Sequence, residues 1–476
     1  MDIETVNKKL LRGIVSLSFR RAAIYAIGLI TLNIILAPVL PVAVLGTFNI
    51  ANSILTFFTF FSDFGLAAAI IQKKEITAED LKTTFTIQQC LAAIILIVVW
   101  IAAPWLVDLY KLDLSSVWLI RALGVSFFLT SLKVIPSVLL ERELKFGPIV
   151  WVEIAEAAIF YGTLTLLVFQ NPTVEAFTVS TILRSVLGVV LIYVLAPWKV
   201  ALGISKAAAK TLMNFGIPFQ LNSLLALVKD RLVFLVVGTI IGPMGIGYIT
   251  WAQSLAYIPL EVMNIMIRVT FPAFSRLQED YESLKPAVEK SLFITSLFLF
   301  PMLFGLLAIA PVLTTVVTKK WEPALPLIYL FSINTFWASL STTFTNILNA
   351  IGKIGTTLKL MVMWTILTWI LTPILVFKYG YTGVAITAAV ISFTSIIPIM
   401  IIKKHIKVEI LKNIYKPLIA SILMSIAVYF IAQSIVSNLV TLITTVLIGG
   451  VIYFVLVGLF AKDQVISFLG RFRNEP

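Results

Sequence analysis

Ionisable residues stand inside the first eight of the chain's apolar stretches: Arg20, Arg21, Arg121, Lys133, Arg184, Lys229, Arg231 and Arg268, with Asp63, Glu153, Glu156, Asp230 and Glu261, while Lys359 lies near the inner end of a later one. A charge facing lipid near a bilayer midplane costs roughly 3 kcal/mol or more, so these groups must face water or one another. Eight cations against five carboxylates suit an anionic group such as a diphosphate, for which the planar guanidinium fork is well shaped. They suit a free organic cation poorly. The carboxylates could each take a proton or help to hold sodium, and no spacing singles one out. Cys90 is the only cysteine and His405 the only histidine, which excludes an intramolecular disulfide and a Cys/His metal site. No metal site and no catalytic residue are expected, although carboxylates alone could bind a cation.

Helical spacing arranges further polar groups around the charges. Gln253, Tyr257, Glu261, Asn264 and Arg268 recur at steps of three and four, which predicts one helix face. Asn49, Asn52, Thr56, Thr59 and Asp63 form a second stripe, and Asn334, Ser341, Thr345 and Asn349 a neutral third. Each stripe could line a pathway or hydrogen-bond helices together. Glu153 and Glu156 could pair with Lys133 or meet Arg142 and Lys145. Arg20 and Arg21 could enter a cavity or snorkel to headgroups. Lys229, Asp230 and Arg231 cannot all share a face, since adjacent helical residues diverge by about 100°. Gly216-Ile217-Pro218 removes a backbone donor and predicts either a hinge or a static kink at Gly216 and Pro218.

The elements that must position these residues are membrane helices. The chain is 60% hydrophobic and 12% charged, with a mean hydropathy of +1.03. About fourteen spans are expected, at 13–37, 42–71, 83–107, 116–139, 149–170, 174–197, 213–241, 246–272, 288–312, 323–350, 355–377, 382–402, 417–437 and 439–460. The connections on the side of the termini are rich in Lys and Arg, whereas the opposite ones hold only Lys111, Lys319, Lys320 and Lys378. Both termini are therefore expected in the cytoplasm, with the chain in the inner membrane. The first apolar run is too long for a removable signal and lacks a small-residue cleavage site. A net charge of +13 is spread over every inner loop, which argues against nucleic acid.

A repeat is visible at domain scale. Leu45-Gly46-Thr47-Phe48-Asn49-Ile50-Ala51-Asn52-Ser53-Ile54 matches Ile246-Gly247-Tyr248-Ile249-Thr250-Trp251-Ala252-Gln253-Ser254-Leu255 at Gly, Ala and Ser, six helices apart. An even number of intervening spans implies two copies in one orientation. The expected organisation is an all-α polytopic protein with a six-helix lobe over 1–211 and a second over 212–402. Residues 403–476 supply two further helices and a tail.

These residues carry a resemblance. Ser62-Asp63-Phe64-Gly65-Leu66 before Ile71-Gln72, Leu140-Glu141-Arg142-Glu143-Leu144-Lys145-Phe146, and Gly245-Ile246-Gly247-Tyr248 with Ala252 and Pro259 are three of its segments. Phe271-Pro272-Ala273-Phe274-Ser275-Arg276-Leu277-Gln278 and Lys320-Trp321-Glu322-Pro323-Ala324 complete it. In that order they resemble the polysaccharide or O-unit flippases of the multidrug/oligosaccharidyl-lipid/polysaccharide exporter superfamily. The resemblance implies movement of a polyprenyl-diphosphate-linked oligosaccharide from the inner to the outer leaflet, with two lobes rocking in alternating access. It implies the lipid-linked substrate and the bilayer as partners, polymerisation and export machinery as further candidates, and no cofactor. A proton or sodium gradient is the candidate driving force. One rival is a drug or cation antiporter of the same superfamily, against which the basic excess argues. The other is a membrane polymerase or ligase, against which the short outer connections argue.

Overall fold

The computed structural model describes residues 20, 22–60, 65–73, 75–227, 233–317 and 319–462. Within a bilayer every backbone N–H and C=O must be bonded inside the chain, and an all-helical architecture does so. The helices are α1 (Ala22–Ile35), α2 (Val42–Phe60), α3 (Leu66–Gln72), α4 (Ala78–Leu109), α5 (Ser116–Ser131), α6 (Val134–Arg142), α7 (Phe146–Gln170), α8 (Val174–Leu195) and α9 (Lys206–Leu227). They continue as α10 (Val233–Ala256), α11 (Ile258–Arg276), α12 (Tyr281–Val317), α13 (Leu325–Ala350), α14 (Ile354–Tyr379), α15 (Thr382–Ser392), α16 (Ile396–Lys403), α17 (Ile410–Ile435) and α18 (Leu439–Phe460). Among the described residues twelve spans are long and apolar enough to cross a membrane. The chain is an all-α, multi-pass membrane protein.

It divides into two units, Met1–Gly247 and Tyr248–Pro476. In the first, α8 packs against α7 and α5, α4 and α2 pack against α5, and α9 lies on α3 and α4. In the second, α12 packs against α17, α11 and α13, while α15 lies between α13 and α14. The last two helices rest on α12: Tyr453 donates its hydroxyl to the Leu297 carbonyl at 2.8 Å, and Ser425 donates to the Phe304 carbonyl at 2.9 Å.

Several spans expected as single helices are interrupted, each for a local reason. The span expected over 42–71 is two helices, α2 and α3. Gly65, ahead of α3, has φ 71°, where L side chains are strained, and a Cβ there would lie 2.3 Å from the Gly216 carbonyl oxygen. The Phe60 carbonyl that ends α2 accepts from Gln220 Nε2 at 2.7 Å. The end of α3 is held by Arg142, whose Nη1 donates to the carbonyls of Ile70, Ile71 and Lys73 at 2.6, 3.1 and 2.5 Å. Helix α4 then starts on a capping box between Thr77 and Asp80, and Asp80 also pairs with Lys73 at 2.7 Å.

Within α10, Gly242 at φ 68° and ψ −176° breaks the helix ahead of Pro243, at the join between the expected seventh and eighth spans. The stripe from Gln253 to Arg268 does not run along one unbroken helix, because α10 ends at Ala256 and α11 starts at Ile258. Pro259 has no N–H to continue the ladder, and Leu260 donates instead to the Tyr257 carbonyl at 3.0 Å. The Ala256 carbonyl accepts from Thr335 on α13 at 2.9 Å, in a fully buried position. Helix α9 continues through Gly216, Ile217 and Pro218. The backbone at Gly216 meets Gly65 there.

The two glycines of the sequence repeat have a reciprocal arrangement. A Cβ on Gly46 would lie 1.7 Å from the Pro243 carbonyl oxygen and 2.8 Å from the Gly247 nitrogen. A Cβ on Gly247 would lie 2.3 Å from the Val42 carbonyl oxygen. Residues 42 and 46 thus face 247 and 243 backbone to backbone, an approach that only glycine permits.

Candidate functional site: a paired charge cluster in the first unit

Glu153, Glu156 and Phe160 follow one another at three and four residues on α7, one above the other on a single face. Helix α8 packs antiparallel to it, setting Gly188 beside Glu156 and Arg184 beside Phe160. Glu156 is buried, and a Cβ on Gly188 would lie 1.5 Å from its Oε1, so the carboxyl group lies across a part of α8 that only glycine leaves open.

Lys133 Nζ forms an ion pair with that oxygen, the two side chains being 14% and 5% exposed. Lys133 caps the start of α6, where the chain steps out of α5. Leu132 and Lys133 donate to the carbonyls of Leu129 and Thr130, each at 3.1 Å, which tightens the last turn. The Leu132 carbonyl left over accepts from the Tyr193 hydroxyl at 3.1 Å. A break between α5 and α6, anchored to α8, therefore places the lysine against Glu156.

One turn earlier on α7, Glu153 Oε2 pairs with Arg20 Nη1 at 2.9 Å, both side chains being partly exposed. Glu141 at the end of α6 lies within electrostatic reach of Arg20 and Glu153, and Lys133 and Arg184 also act on Glu153. Arg184 is exposed, with its guanidinium carbon 5.8 Å from the centre of the Phe160 ring. It also acts on Tyr161, whose hydroxyl packs against Gly28 of α1.

Three carboxylates, Glu141, Glu153 and Glu156, thus share a neighbourhood with three cations, Arg20, Lys133 and Arg184. Within this group the charge is balanced, unlike the basic excess counted along the sequence. Two cations hold carboxylates, whereas Arg184 has no hydrogen-bonded carboxylate among the described residues and keeps its N–H donors for another acceptor.

The other candidates lie elsewhere. Arg21, Asp63, Lys229, Asp230 and Arg231 lie outside the described residues. Arg121 makes its contacts with Trp100 and Trp118. On α2, Asn49 donates to the Leu45 carbonyl of its own helix at 2.8 Å, and Asn52 is exposed. Gln253, Tyr257, Glu261 and Asn264 are half-buried in the second unit, where Tyr257 packs edge-on to Phe331, and Arg268 is exposed. On α13, Asn334 bonds the Ala388 carbonyl of α15 at 3.0 Å, which ties two helices together. Sequence reasoning missed Glu141, Tyr161, Gly188 and Tyr193. Glu141 sits in an inner-end motif that reads as a loop, and the other three matter only through what packs against them.

Helices of membrane-spanning hydropathy with charged and polar groups gathered among them define a multi-pass membrane protein. The fold agrees: the lipid II flippase MurJ, in an inward closed conformation, superimposes with a TM-score of 0.73 over 96% of this chain and 100% of that one, at 16% identity. The profile of the polysaccharide biosynthesis protein family matches residues 35–326. The chain belongs to that family. The lipopolysaccharide biosynthesis protein WzxC of Escherichia coli (strain K12) is 25% identical over 375 residues, 76% of this chain and 74% of that protein. The teichuronic acid biosynthesis protein TuaB of Bacillus subtilis (strain 168) is 24% identical over 276 residues, 57% of each chain. The match thus spans little more than half the length of TuaB.

Proposed function

We propose that this protein is a flippase that carries a polyprenyl-diphosphate-linked oligosaccharide from the inner to the outer leaflet by alternating access. The observation that carries the reading is the charge cluster of the first unit. Among the described residues Arg184 offers unoccupied donors on an aromatic face, while Arg20 holds a partly exposed carboxylate that a diphosphate could replace. An incoming phosphate would exchange with Glu153 for Arg20, one charge-assisted contact for another, so entry and release would both remain possible. Arg268, and Lys229 and Arg231 outside the described residues, are proposed as further contacts along the passage.

Fourteen crossings with both termini in the cytoplasm accompany this reading, supported by the lysine-rich loops on one side. Two six-helix lobes over 1–211 and 212–402, with residues 403–476 as an addition, are likewise proposed. Cells lacking the protein should retain lipid-linked precursor on the inner leaflet, and purified protein in vesicles should restore exposure of the headgroup. Arg184→Ala should lower transport per folded molecule about ten- to a hundredfold, as expected for one charge-assisted contact. Normal outward exposure in a deletion strain without a redundant flippase would refute the assignment.

A further inference from the structure

Arg121 lies outside the charge cluster, on a different kind of surface. Ile94, Ile97, Ile101 and Trp105 line one face of α4, and all are strongly exposed. Leu114, in the connection before α5, and Trp118, in its first turn, are exposed as well. In a membrane protein such a face meets lipid, not a hydrated passage. Arg121 stands at its edge, with its guanidinium carbon 4.9 Å from the Trp100 ring centre and 5.2 Å from that of Trp118. The two indoles meet edge to face at 6.5 Å, 40% and 59% exposed respectively. Arg121 Nε approaches the Trp100 carbonyl at 3.4 Å. Its two Nη groups have no acceptor, and no carboxylate pairs with it, among the described residues.

Arg121 is five residues into α5, about 7.5 Å along the axis at 1.5 Å per residue. That is a shallow depth, where indoles prefer the boundary between headgroups and acyl chains. A guanidinium whose faces rest on aromatic rings keeps its N–H edges for an acceptor in its plane. At this depth on a lipid-facing surface, the available anion is the phosphate of a membrane lipid. We propose that Trp100, Trp118 and Arg121 form a binding site for the phosphate of a phospholipid at the boundary beside the α4–α5 connection. The indoles cover the upper acyl chain and glycerol while the guanidinium Nη groups bind the phosphate oxygens. The site needs only that the chain spans a membrane, and stands whether or not the cargo is a lipid-linked sugar.

The test is native mass spectrometry of the full-length protein in detergent, titrated with phosphatidylglycerol and, separately, with a phosphate-free diacyl glucolipid. The unsubstituted protein should retain one more phosphatidylglycerol than Arg121→Gln, with affinity lower by about tenfold in the variant, and glucolipid retention should be the same in both. Arg121→Lys, which keeps the charge without the planar fork, should fall between them and serves if the glutamine variant does not fold. Equal phosphatidylglycerol retention by all three proteins would overturn the proposal. So would unchanged retention with a tenfold loss of cargo transport per folded molecule, because the phosphate met by Arg121 would then be that of the cargo.

Discussion

Replacing Lys133 with methionine leaves the Glu156 carboxylate buried against Gly188 without its cation. Removing one half of a buried pair costs about 3–5 kcal/mol, because the remaining charge keeps its desolvation penalty and loses the attraction that offset it. The low exposure of both side chains, 14% and 5%, places the pair in that class. Against a total stability of about 5–15 kcal/mol, the folded-to-unfolded ratio should fall by about two to four orders of magnitude, which lowers the unfolding temperature and the abundance in the membrane. Lys133→Met with Glu156→Gln removes both charges and should recover most of the loss, leaving about 1–3 kcal/mol for imperfect hydrogen bonding of the amide. Arg20→Ala is the contrasting case. Its pair with Glu153 is about one third exposed, and its loss should cost under about 1 kcal/mol.

The assay is thermal unfolding in detergent, with membrane abundance and transport per folded molecule measured on the same samples. Recovery of abundance and transport together in the double variant would make Lys133 a purely structural partner. Recovery of abundance alone would place Lys133 in contact with cargo as well. A single Lys133→Met variant that accumulates and unfolds like the original would refute the reasoning, since the buried carboxylate would then need no cation.

Gly46→Ala and Gly247→Ala should each destabilise by about 1–3 kcal/mol or more, because the new Cβ meets backbone rather than a side chain able to move. At Gly46 the 1.7 Å approach requires a helix displacement of roughly 1.5 Å to reach a tolerable separation. Unchanged unfolding temperatures for both variants would refute the close approach. For orientation, reporters fused within 403–416 should be active in the cytoplasm, and one near Lys319 outside it. A reporter at 403–416 active only outside would invert the proposed topology.

Much of this protein is legible from sequence because the bilayer leaves so few choices. A backbone that must satisfy its own hydrogen bonds in lipid becomes helix, so hydropathy alone determines an all-α, multi-pass chain. The same physics marks charged residues inside apolar spans as groups that need water or a partner. Ordered motifs from Ser62-Asp63-Phe64-Gly65 to Lys320-Trp321-Glu322-Pro323 carry the family.

Partner choice was not legible in the same way. On sequence grounds Glu153 and Glu156 could each pair with Lys133 or meet the loop cations Arg142 and Lys145. Arg142 instead binds three carbonyls at the end of α3, and Glu153 binds Arg20, far earlier in the chain. Helical spacing predicts that Gln253, Tyr257 and Glu261 share a face; Pro259 signals a break in that ladder, but only the packing shows that Thr335 from another helix satisfies the carbonyl freed at Ala256. Arg121 and Arg184 are alike as residues in apolar spans. One rests on two exposed indoles and the other joins a carboxylate group. Hydropathy and periodicity are properties of a single helix, and they determine which segments cross and which side chains need partners. The choice of partner depends on how neighbouring helices are rotated and where they break, and those are settled only when side chains and glycine backbones from distant segments pack together.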